Sequence, residues 1–370
     1  MDAVELAVPG VRGIRPYQPG KPVEELEREY GVRGAVKLAS NENPLGPPEA
    51  AVRAVREAAA GLSRYPDGNG FALKAALSER LGLPAAQITL GNGSNDVLEL
   101  VVRVFAGPGH DVVFSQYAFA VYPLAAQAVG ARPVAVPARD WGHDLKAMAE
   151  AISDRTRVVF VANPNNPTGT WLDAKRLRRF LESVPRRVVV VVDEAYFEYV
   201  TEPDYPDCAR WVTDFPNLVV TRTFSKIYAL AGLRLGYGLS SAGVADLLNR
   251  VRQPFNVNSL AQVAGLAALG DPGHVARSRE VNAAGLRRIA GALHDLGLTA
   301  IPSVANFISF DTGRPAGAVY EALLRRGVIV RPVDSYGMPT HLRVTVGTAE
   351  ENGRFITALR EAIEEGGEGE

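Results

Sequence analysis

The chain has 370 residues, of which 47% are hydrophobic and 22% are charged, and its formal net charge is −1. These proportions are typical of a globular protein with a large core and about two domains. The charge balance, without a long basic run, argues against nucleic acid or an anionic membrane as the main partner. Because Cys208 is the only cysteine, an internal disulfide framework and a cysteine-only metal site are excluded.

The two ends of the chain and its apolar segments bear on location. The stretch MDAVELAVPGVRG carries early acidic residues and no unbroken apolar run, so it does not resemble a signal peptide. No run of eighteen or more uncharged apolar residues occurs, and no membrane helix is expected. We therefore expect a cytoplasmic protein. The acidic, glycine-rich stretch EEGGEGE is expected to be disordered.

Short β-branched runs alternate with helical patterns through the middle of the chain. The runs begin at Asp111 (DVVFSQYAF), Arg157 (RVVFVANP), Arg187 (RVVVVVDEAY) and Asn217 (NLVVTRTFS), with helical patterns at 120–130 and 173–184. Such runs are typical of strands buried on both faces of a parallel sheet. The alternation predicts an α/β fold whose ligands bind at the carboxyl ends of the strands. Towards the C-terminus, NFISFDT, GVIVRP and HLRVTVG, with the helical pattern AVYEALLRRG among them, predict a smaller α+β unit.

Two loops that follow apolar runs are candidate binding elements. In GNGSNDVLELVVRVF, Gly91 and Gly93 permit an unusual backbone path, and Ser94 and Asn95 open an apolar helix. The free N–H groups at this helix start suit a phosphate, although an ordinary N-cap turn would have the same sequence. In NPNNPTG, two X-Pro steps and a glycine predict a rigid loop, and Asn166 either points its amide into a cleft or belongs to a plain loop.

Two charged residues also follow strand patterns. Asp193 ends a run of five valines, where its charge needs a buried cationic partner, either a ligand nitrogen or a salt bridge. Tyr196 follows three positions later and could reach the same ligand. Lys226 is one of only six lysines, and a partly desolvated lysine is a nucleophile that can form a Schiff base, whereas a surface lysine would have no such role. Ser225 and Arg234 flank it with groups that suit phosphate.

Together the four stretches suit one ligand. They supply a phosphate site, an amide, an acid for a pyridinium nitrogen and an amine for an aldehyde. That ligand is pyridoxal phosphate.

The combination of motifs resembles the fold-type-I pyridoxal-phosphate aminotransferases over nearly the whole chain. It consists of RPYQPGKP, KLASNENPLGPP, RYPDGNG, GNGSNDVLEL, NPNNPTG, DEAYFEY, TFSKIYALAGLRLGYG and LRVTVG. RPYQPGKP, RYPDGNG and YAFAVY point to the histidinol-phosphate branch of this family. The resemblance implies a large cofactor-binding domain over 44–273, with a mostly parallel central sheet flanked by helices. It also implies a smaller, discontinuous α+β domain from 1–43 and 274–370.

The resemblance implies roles for the residues that contact the cofactor ring. Lys226 would form the Schiff base and move the proton between the substrate and cofactor carbons. Asp193 would pair with the pyridine nitrogen, Asn166 and Tyr196 would hydrogen-bond the ring hydroxyl oxygen, and Phe119 would stack on the ring.

Further roles follow for the phosphate and the subunit boundary. Ser94, Asn95, Ser225 and Arg234 would hold the cofactor phosphate. Tyr65, in RYPDGNG, would reach that phosphate from a second subunit, so the resemblance implies a homodimer.

For the substrate, Arg343 in LRVTVG would bind the α-carboxylate of glutamate. Arg331 and Tyr17 would bind the substrate phosphate, although a surface charge and simple packing are the alternatives for these two. Asn43 would shape the N-terminal segment over the active site as a substrate-side residue.

The implied activity is a transamination in histidine biosynthesis between histidinol phosphate or imidazole-acetol phosphate and glutamate or 2-oxoglutarate. No metal is expected. An aromatic amino acid aminotransferase, a threonine-phosphate decarboxylase and a catalytically inactive pyridoxal-phosphate-binding regulatory domain remain alternatives.

Overall fold

A seven-stranded sheet lies at the centre of the computed structural model, which describes residues 3–16 and 20–365. In chain order the strands are β1 (Val36–Lys37), β2 (Ile88–Asn92), β3 (Asp111–Ser115), β4 (Arg132–Val136), β5 (Thr156–Ala162), β6 (Val189–Asp193), β7 (Leu218–Thr223), β8 (Leu235–Ser240), β9 (Thr299–Ala300), β10 (Phe307–Asp311), β11 (Val328–Ile329), β12 (Arg331–Pro332) and β13 (His341–Thr345). The large sheet has the order β2-β8-β7-β6-β5-β3-β4. All its neighbouring strands are parallel except β8, which is antiparallel to both β2 and β7.

Helices cover the sheets. They are α1 (Ala3–Leu6), α2 (Pro9–Arg12), α3 (Val23–Tyr30), α4 (Glu49–Ala58), α5 (Phe71–Leu81), α6 (Ser94–Phe105), α7 (Val121–Ala128), α8 (Leu145–Glu150), α9 (Ala174–Ser183), α10 (Ala242–Val251), α11 (Ser259–Leu269), α12 (Pro272–Asp295), α13 (Ala316–Arg325) and α14 (Ala349–Glu365). Short 3₁₀ segments lie at Ala59–Gly61, Ala85–Gln87, Phe197–Tyr199, Cys208–Trp211, Ala231–Leu233 and Asp334–Tyr336.

The central strands of the large sheet are buried on both faces. The side chains of β5 from Val158 to Val161 are fully buried, and those of β6 from Val189 to Val192 are almost so. Helices flank both faces of a parallel sheet, so neither set of alternate side chains meets water. The unbroken valine run therefore suits its position, and the strands predicted from Asp111, Arg157, Arg187 and Asn217 are confirmed as β3, β5, β6 and β7.

A second, smaller sheet is antiparallel and has the order β12-β13-β10-β9. Its register sets Arg343 of β13 opposite Arg331 of β12 and opposite Ser309 of β10. The run GVIVRP, predicted as one strand, divides at Val330 between β11, which pairs with β1, and β12 of the small sheet. The expected α+β character of this region is thus present, with one strand prediction corrected.

The domain division predicted at residues 44 and 273 stays a prediction, and the second limit falls in the first turn of α12. Within residues 3–16 and 20–365, no helix combines the length and the apolar character needed to cross a membrane.

Candidate active site

A cavity of about 150 Å³ opens at the edge of the large sheet where the parallel strands end. Asn166 and Lys226 lie at this edge because they follow β5 and β7, and Asp193 is the last residue of β6. Arg234 lies at the same edge because it precedes β8, which is antiparallel to β7. The lining residues are Ser94, Asn95, Phe119, Tyr122, Ala162, Pro164, Asn166, Asp193, Ala195, Tyr196, Thr223, Ser225, Lys226 and Arg234. All residues predicted to contact the cofactor, except Tyr65, therefore meet around one cavity.

Lys226 projects into this cavity from the turn after β7. Its Nζ donates to the backbone oxygen of Ser40 at 3.0 Å. Burial, together with the nearby guanidinium of Arg343, lowers the pKa of Lys226 to about 7. A large fraction of this amine is therefore neutral near pH 7, as a nucleophile or a proton acceptor must be.

Asp193 is 5% exposed and receives hydrogen bonds from neutral hydroxyls. Tyr122 donates to its Oδ2 and Thr221 to its Oδ1, both at 2.8 Å. Burial raises the pKa of Asp193, and these two donors oppose the rise. Among the described side chains, no cation forms an ion pair with Asp193. A positively charged nitrogen of a ligand would therefore balance the charge of this carboxylate.

The start of α6 forms a cup with the backbone of β8. Gly93 has φ +80°, and a Cβ there would lie 2.5 Å from the guanidinium of Arg234. A Cβ on Gly236 would lie 2.2 Å from the backbone nitrogen of Ser94, so glycine is required for this close approach. Arg234 also donates to the Ser225 hydroxyl at 3.3 Å. A helix of twelve residues, a hydroxyl and a guanidinium thus converge as an anion site.

Tyr196 and Asn166 present polar groups to the cavity between Asp193 and the small sheet. Asn166 accepts a hydrogen bond on Oδ1 from Arg343 at 2.5 Å, which leaves its Nδ2 hydrogens for another acceptor. The Tyr196 hydroxyl accepts from Asn41 Nδ2 at 2.8 Å. Burial raises the pKa of Tyr196 to about 12, so its hydroxyl stays protonated and can donate.

The residues predicted to bind substrate have different surroundings. Arg343 is 6% exposed and donates to Asn166 and to the backbone oxygen of Ala39. Arg331 is opposite Arg343 in the neighbouring strand, on the same face of the small sheet. Asn43 is buried, and its amide donates to Ile227 O at 2.7 Å.

Asn43 thus anchors the turn that carries Lys226, and its predicted substrate contact stays a prediction. Its amide also donates to the Ser278 hydroxyl at 2.9 Å. Tyr17 lies outside the described residues.

Tyr65 does not line the cavity. Its side chain is 82% exposed and stacks on Phe255 with ring centroids 4.6 Å apart. Phe71, also in this region of the chain, is 78% exposed. The predicted reach of Tyr65 into a neighbouring subunit stays a prediction.

Four further residues belong to the site although the sequence predicts no role for them, namely Asn41, Tyr122, Thr221 and Thr223. Asn41 lies within the motif KLASNENPLGPP, and Tyr122 lies within the motif YAFAVY. These motifs do not indicate the hydrogen bond of Asn41 with Tyr196 or that of Tyr122 with Asp193.

A buried ion pair supports the end of β6. Arg222 donates through Nε and Nη2 to Oε2 of Glu194, at 2.9 and 2.7 Å, and both side chains are almost fully buried. Arg222 also pairs with Asp207 at 2.6 Å. Glu194 follows Asp193 directly, so this pair fixes the backbone that carries the cavity's carboxylate.

An aromatic contact connects the two sheets near the cavity. Trp141 lies between Tyr117, which follows β3, and His341 of β13, with ring centroids 5.1 and 4.9 Å away. Within the described residues, no group of three or more His, Cys, Asp or Glu side chains is arranged to hold a metal ion.

Comparison with known proteins gives matches over almost the whole chain. The family model of class I and II aminotransferases matches residues 33–359. Histidinol-phosphate aminotransferase 1 of Nitrosococcus oceani is 60% identical, and the alignment covers 98% of each chain. Histidinol-phosphate aminotransferase 2 of Pseudomonas aeruginosa is 59% identical, with 98% of this chain and 99% of that one covered.

Solved structures have the same fold. A histidinol-phosphate aminotransferase from Sinorhizobium meliloti, in complex with pyridoxal-5'-phosphate, has a TM-score of 0.90 and 31% identity. The match covers 97% of this chain and 98% of that one. An aspartate aminotransferase mutant from Thermus thermophilus has a TM-score of 0.83 and 25% identity, with the same coverage of both chains.

Proposed function

We propose that this chain, which belongs to the class I and II aminotransferase family, transfers an amino group between histidinol phosphate and 2-oxoglutarate with pyridoxal phosphate as cofactor. The predicted fold class, a fold-type-I aminotransferase with a mostly parallel sheet flanked by helices and a smaller α+β part, is confirmed. The predicted enzyme class is confirmed as well. In the proposed role the enzyme acts in histidine biosynthesis.

The cavity fits the cofactor at each of its polar positions. When bound, pyridoxal phosphate supplies an aldehyde that takes up the amino group and a ring that accepts electrons. The anion cup at Ser94, Ser225 and Arg234 would hold its phosphate. The unmatched carboxylate of Asp193 would meet the ring nitrogen. The single observation that carries the proposal is the presence in one cavity of this carboxylate and of the buried Lys226 amine, whose pKa is lowered to about 7.

The remaining steps are carried out by the protein's own side chains. Lys226, whose pKa burial lowers to about 7, would accept a proton from the substrate carbon that carries the amino group and would pass it to the aldehyde carbon of the cofactor. Asp193 would keep a proton on the ring nitrogen, because a buried carboxylate favours a cation beside it. Asn166 and Tyr196 would donate to the ring hydroxyl oxygen, and Phe119 would cover one face of the ring.

Two arginines support a substrate with two anionic groups. The register of β12 and β13 sets Arg331 opposite Arg343, and like charges in opposite positions destabilise a sheet unless a bound anion offsets their repulsion. Glutamate and 2-oxoglutarate each carry two carboxylates, and histidinol phosphate carries a phosphate. Arg343 would bind the α-carboxylate of glutamate. Arg331, together with Tyr17, would bind the phosphate of histidinol phosphate.

The proposal includes a homodimer. The stacked, exposed rings of Tyr65 and Phe255 and the exposed ring of Phe71 support a partner subunit on this surface. Tyr65 would then reach the cofactor phosphate of the other protomer. The cytoplasmic location expected from the sequence is part of the same proposal.

The substrate assignment is tested with purified protein. Glutamate formation from 2-oxoglutarate is measured with histidinol phosphate as donor, beside phenylalanine as a second donor. Carbon dioxide release from threonine phosphate is measured in parallel. A preference for histidinol phosphate is expected. A preference for phenylalanine, or decarboxylation of threonine phosphate, would refute the substrate and leave the cofactor chemistry in place.

The phosphate role of Arg331 has its own test. Arg331→Gln should raise the KM for histidinol phosphate about 30-fold, about the effect of one lost charge-assisted hydrogen bond, and should change the KM for glutamate little. Arg325→Gln is the matched control, because Arg325 lies on α13 with its side chain 67% exposed. Equal losses for both substrates in Arg331→Gln would exclude Arg331 from the phosphate site.

A further inference from the structure

Residues 38–43, called the strap below, follow β1 and contact both β13 of the small sheet and side chains that line the cavity. Three successive strap residues each contact a different functional side chain. The backbone oxygen of Ala39 accepts from Arg343, that of Ser40 accepts from Lys226, and the amide of Asn41 donates to the hydroxyl of Tyr196. Asn41 differs from its neighbours because it makes this contact with its side chain, and that side chain is only 1% exposed.

The orientation of the Asn41 amide follows from its contacts with Thr345 of β13. The backbone N–H of Asn41 donates to Thr345 Oγ1 at 3.0 Å. A backbone N–H can only donate, so the Thr345 hydroxyl accepts this bond and uses its own hydrogen elsewhere. Its second partner is Asn41 Oδ1 at 3.1 Å, which accepts. The amide therefore presents Oδ1 to Thr345 and Nδ2 to Tyr196.

This chain of hydrogen bonds also fixes the direction of the Tyr196 hydroxyl. Because Nδ2 of Asn41 donates to Tyr196 Oη at 2.8 Å, the hydroxyl must direct its own hydrogen away from Asn41. Tyr196 lines the cavity, so that hydrogen is available to an acceptor there. We propose that Asn41 is a positioning residue, which, supported by Thr345, makes Tyr196 an oriented donor towards the cofactor ring.

Charged and titratable groups also face Tyr196 from other elements. They are Asp193 of β6, Arg343 of β13 and Tyr336, together with Lys226, whose Nζ lies 5.7 Å from the Tyr196 ring centroid. These groups act on Tyr196 by their charge or dipole. Orienting a hydroxyl needs a directional partner, which Asn41 provides.

The backbone of the strap indicates which substitution is suitable. Asn41 has φ +56°, in the left-handed region that glycine adopts without strain and asparagine tolerates. Asn41→Gly therefore removes the amide and leaves the backbone conformation accessible. Thr345→Val removes the hydroxyl that orients the amide, and Thr345→Ser keeps it. Asn306→Ser is a structural control, because Asn306 supports the strap through Asn41 O and takes no part in the chain of side-chain bonds.

The experiment rests on the proposed function and uses the holoenzyme. The visible absorbance of the Lys226-bound cofactor is titrated with pH, and the midpoint is compared among variants. A donor to the ring oxygen makes that oxygen less basic, so losing the donor should raise the midpoint. In Asn41→Gly and Thr345→Val we expect a rise of about one pH unit, about the effect of one hydrogen bond to a charged acceptor. Thr345→Ser and Asn306→Ser should keep the wild-type midpoint.

A double-mutant cycle with Tyr196→Phe tests whether Asn41 acts through Tyr196. We expect Asn41→Gly to cause no further shift in the Tyr196→Phe background. An unchanged midpoint in both Asn41→Gly and Thr345→Val, or a full shift that persists without the Tyr196 hydroxyl, would overturn the inference. If Asn41→Gly does not fold, Thr345→Val replaces it in the double-mutant cycle with Tyr196→Phe. A wild-type protein that binds no cofactor would instead refute the proposed function.

Discussion

Lys226 should be a neutral amine at pH values where an ordinary lysine is protonated. Burial lowers its pKa to about 7, and the charge of Arg343 acts in the same direction. At pH 7.5 the neutral fraction of such an amine is about 0.8, against about 0.001 for a model-peptide lysine with a pKa of about 10.4. The difference in neutral fraction is thus several hundred-fold, and the neutral form is lost as the pH falls through 7.

Competitive labelling of the cofactor-free protein measures this difference. A trace of acylating reagent is applied across pH 5 to 11, and mass spectrometry reads the label on each of the six lysines separately. The labelling midpoint of Lys226 should lie near pH 7. Lys146, whose side chain is 88% exposed, serves as an internal reference in the same sample.

Arg343→Gln provides a second arm of this experiment. Removing the guanidinium removes a charge that disfavours protonation, so the Lys226 midpoint should move to higher pH. Arg325→Gln, on the surface of α13, should leave it in place. A wild-type Lys226 midpoint near the model-peptide value would refute the view that burial prepares this amine for reaction.

Two further substitutions probe buried charge. Asp193→Asn should lower kcat at least about 100-fold in steady-state assays. The same substitution should raise the melting temperature of the cofactor-free protein, because it removes a buried carboxylate that has no cationic partner. A lower melting temperature would contradict this expectation. Arg222→Met should lower the free energy of unfolding by about 3–5 kcal/mol, because Glu194 is left buried and unpaired. Arg178→Met removes two partly exposed ion pairs, with Glu182 and Asp214, and should cost less than about 1 kcal/mol in total. Urea unfolding at one fixed protein concentration compares the two variants.

Much of the large sheet is predictable from the sequence because its strands are buried on both faces. Apolar runs such as Val188–Val192 have few alternatives to a central strand. The strand β8 has a weaker signal, since Gly236 and Gly238 interrupt its apolar character. Those glycines follow from contacts with α6, where a Cβ on Gly238 would lie 2.7 Å from Val97. Such contacts exist only after folding, so local pattern does not reveal them.

The candidate site likewise has some residues that the sequence predicts and others that it does not. Asp193 and Lys226 stand out in the sequence because a charged residue directly after an apolar run needs a reason. Their supporting partners do not stand out. Asn41 is 155 positions from Tyr196, and Tyr122 is 71 positions from Asp193, and a hydrogen bond across such a separation depends on the tertiary fold alone.

The fluorescence of Trp141 should report on the contact between the two sheets. Its neighbour Tyr117 directly follows β3 of the large sheet and its neighbour His341 belongs to β13 of the small sheet, so a change in the gap between the sheets should alter the surroundings of the indole. The chain has two other tryptophans, Trp171 and Trp211. Replacing both with phenylalanine would leave Trp141 as a single native fluorophore, with which substrate-dependent movement between the sheets can be followed in real time without an attached dye.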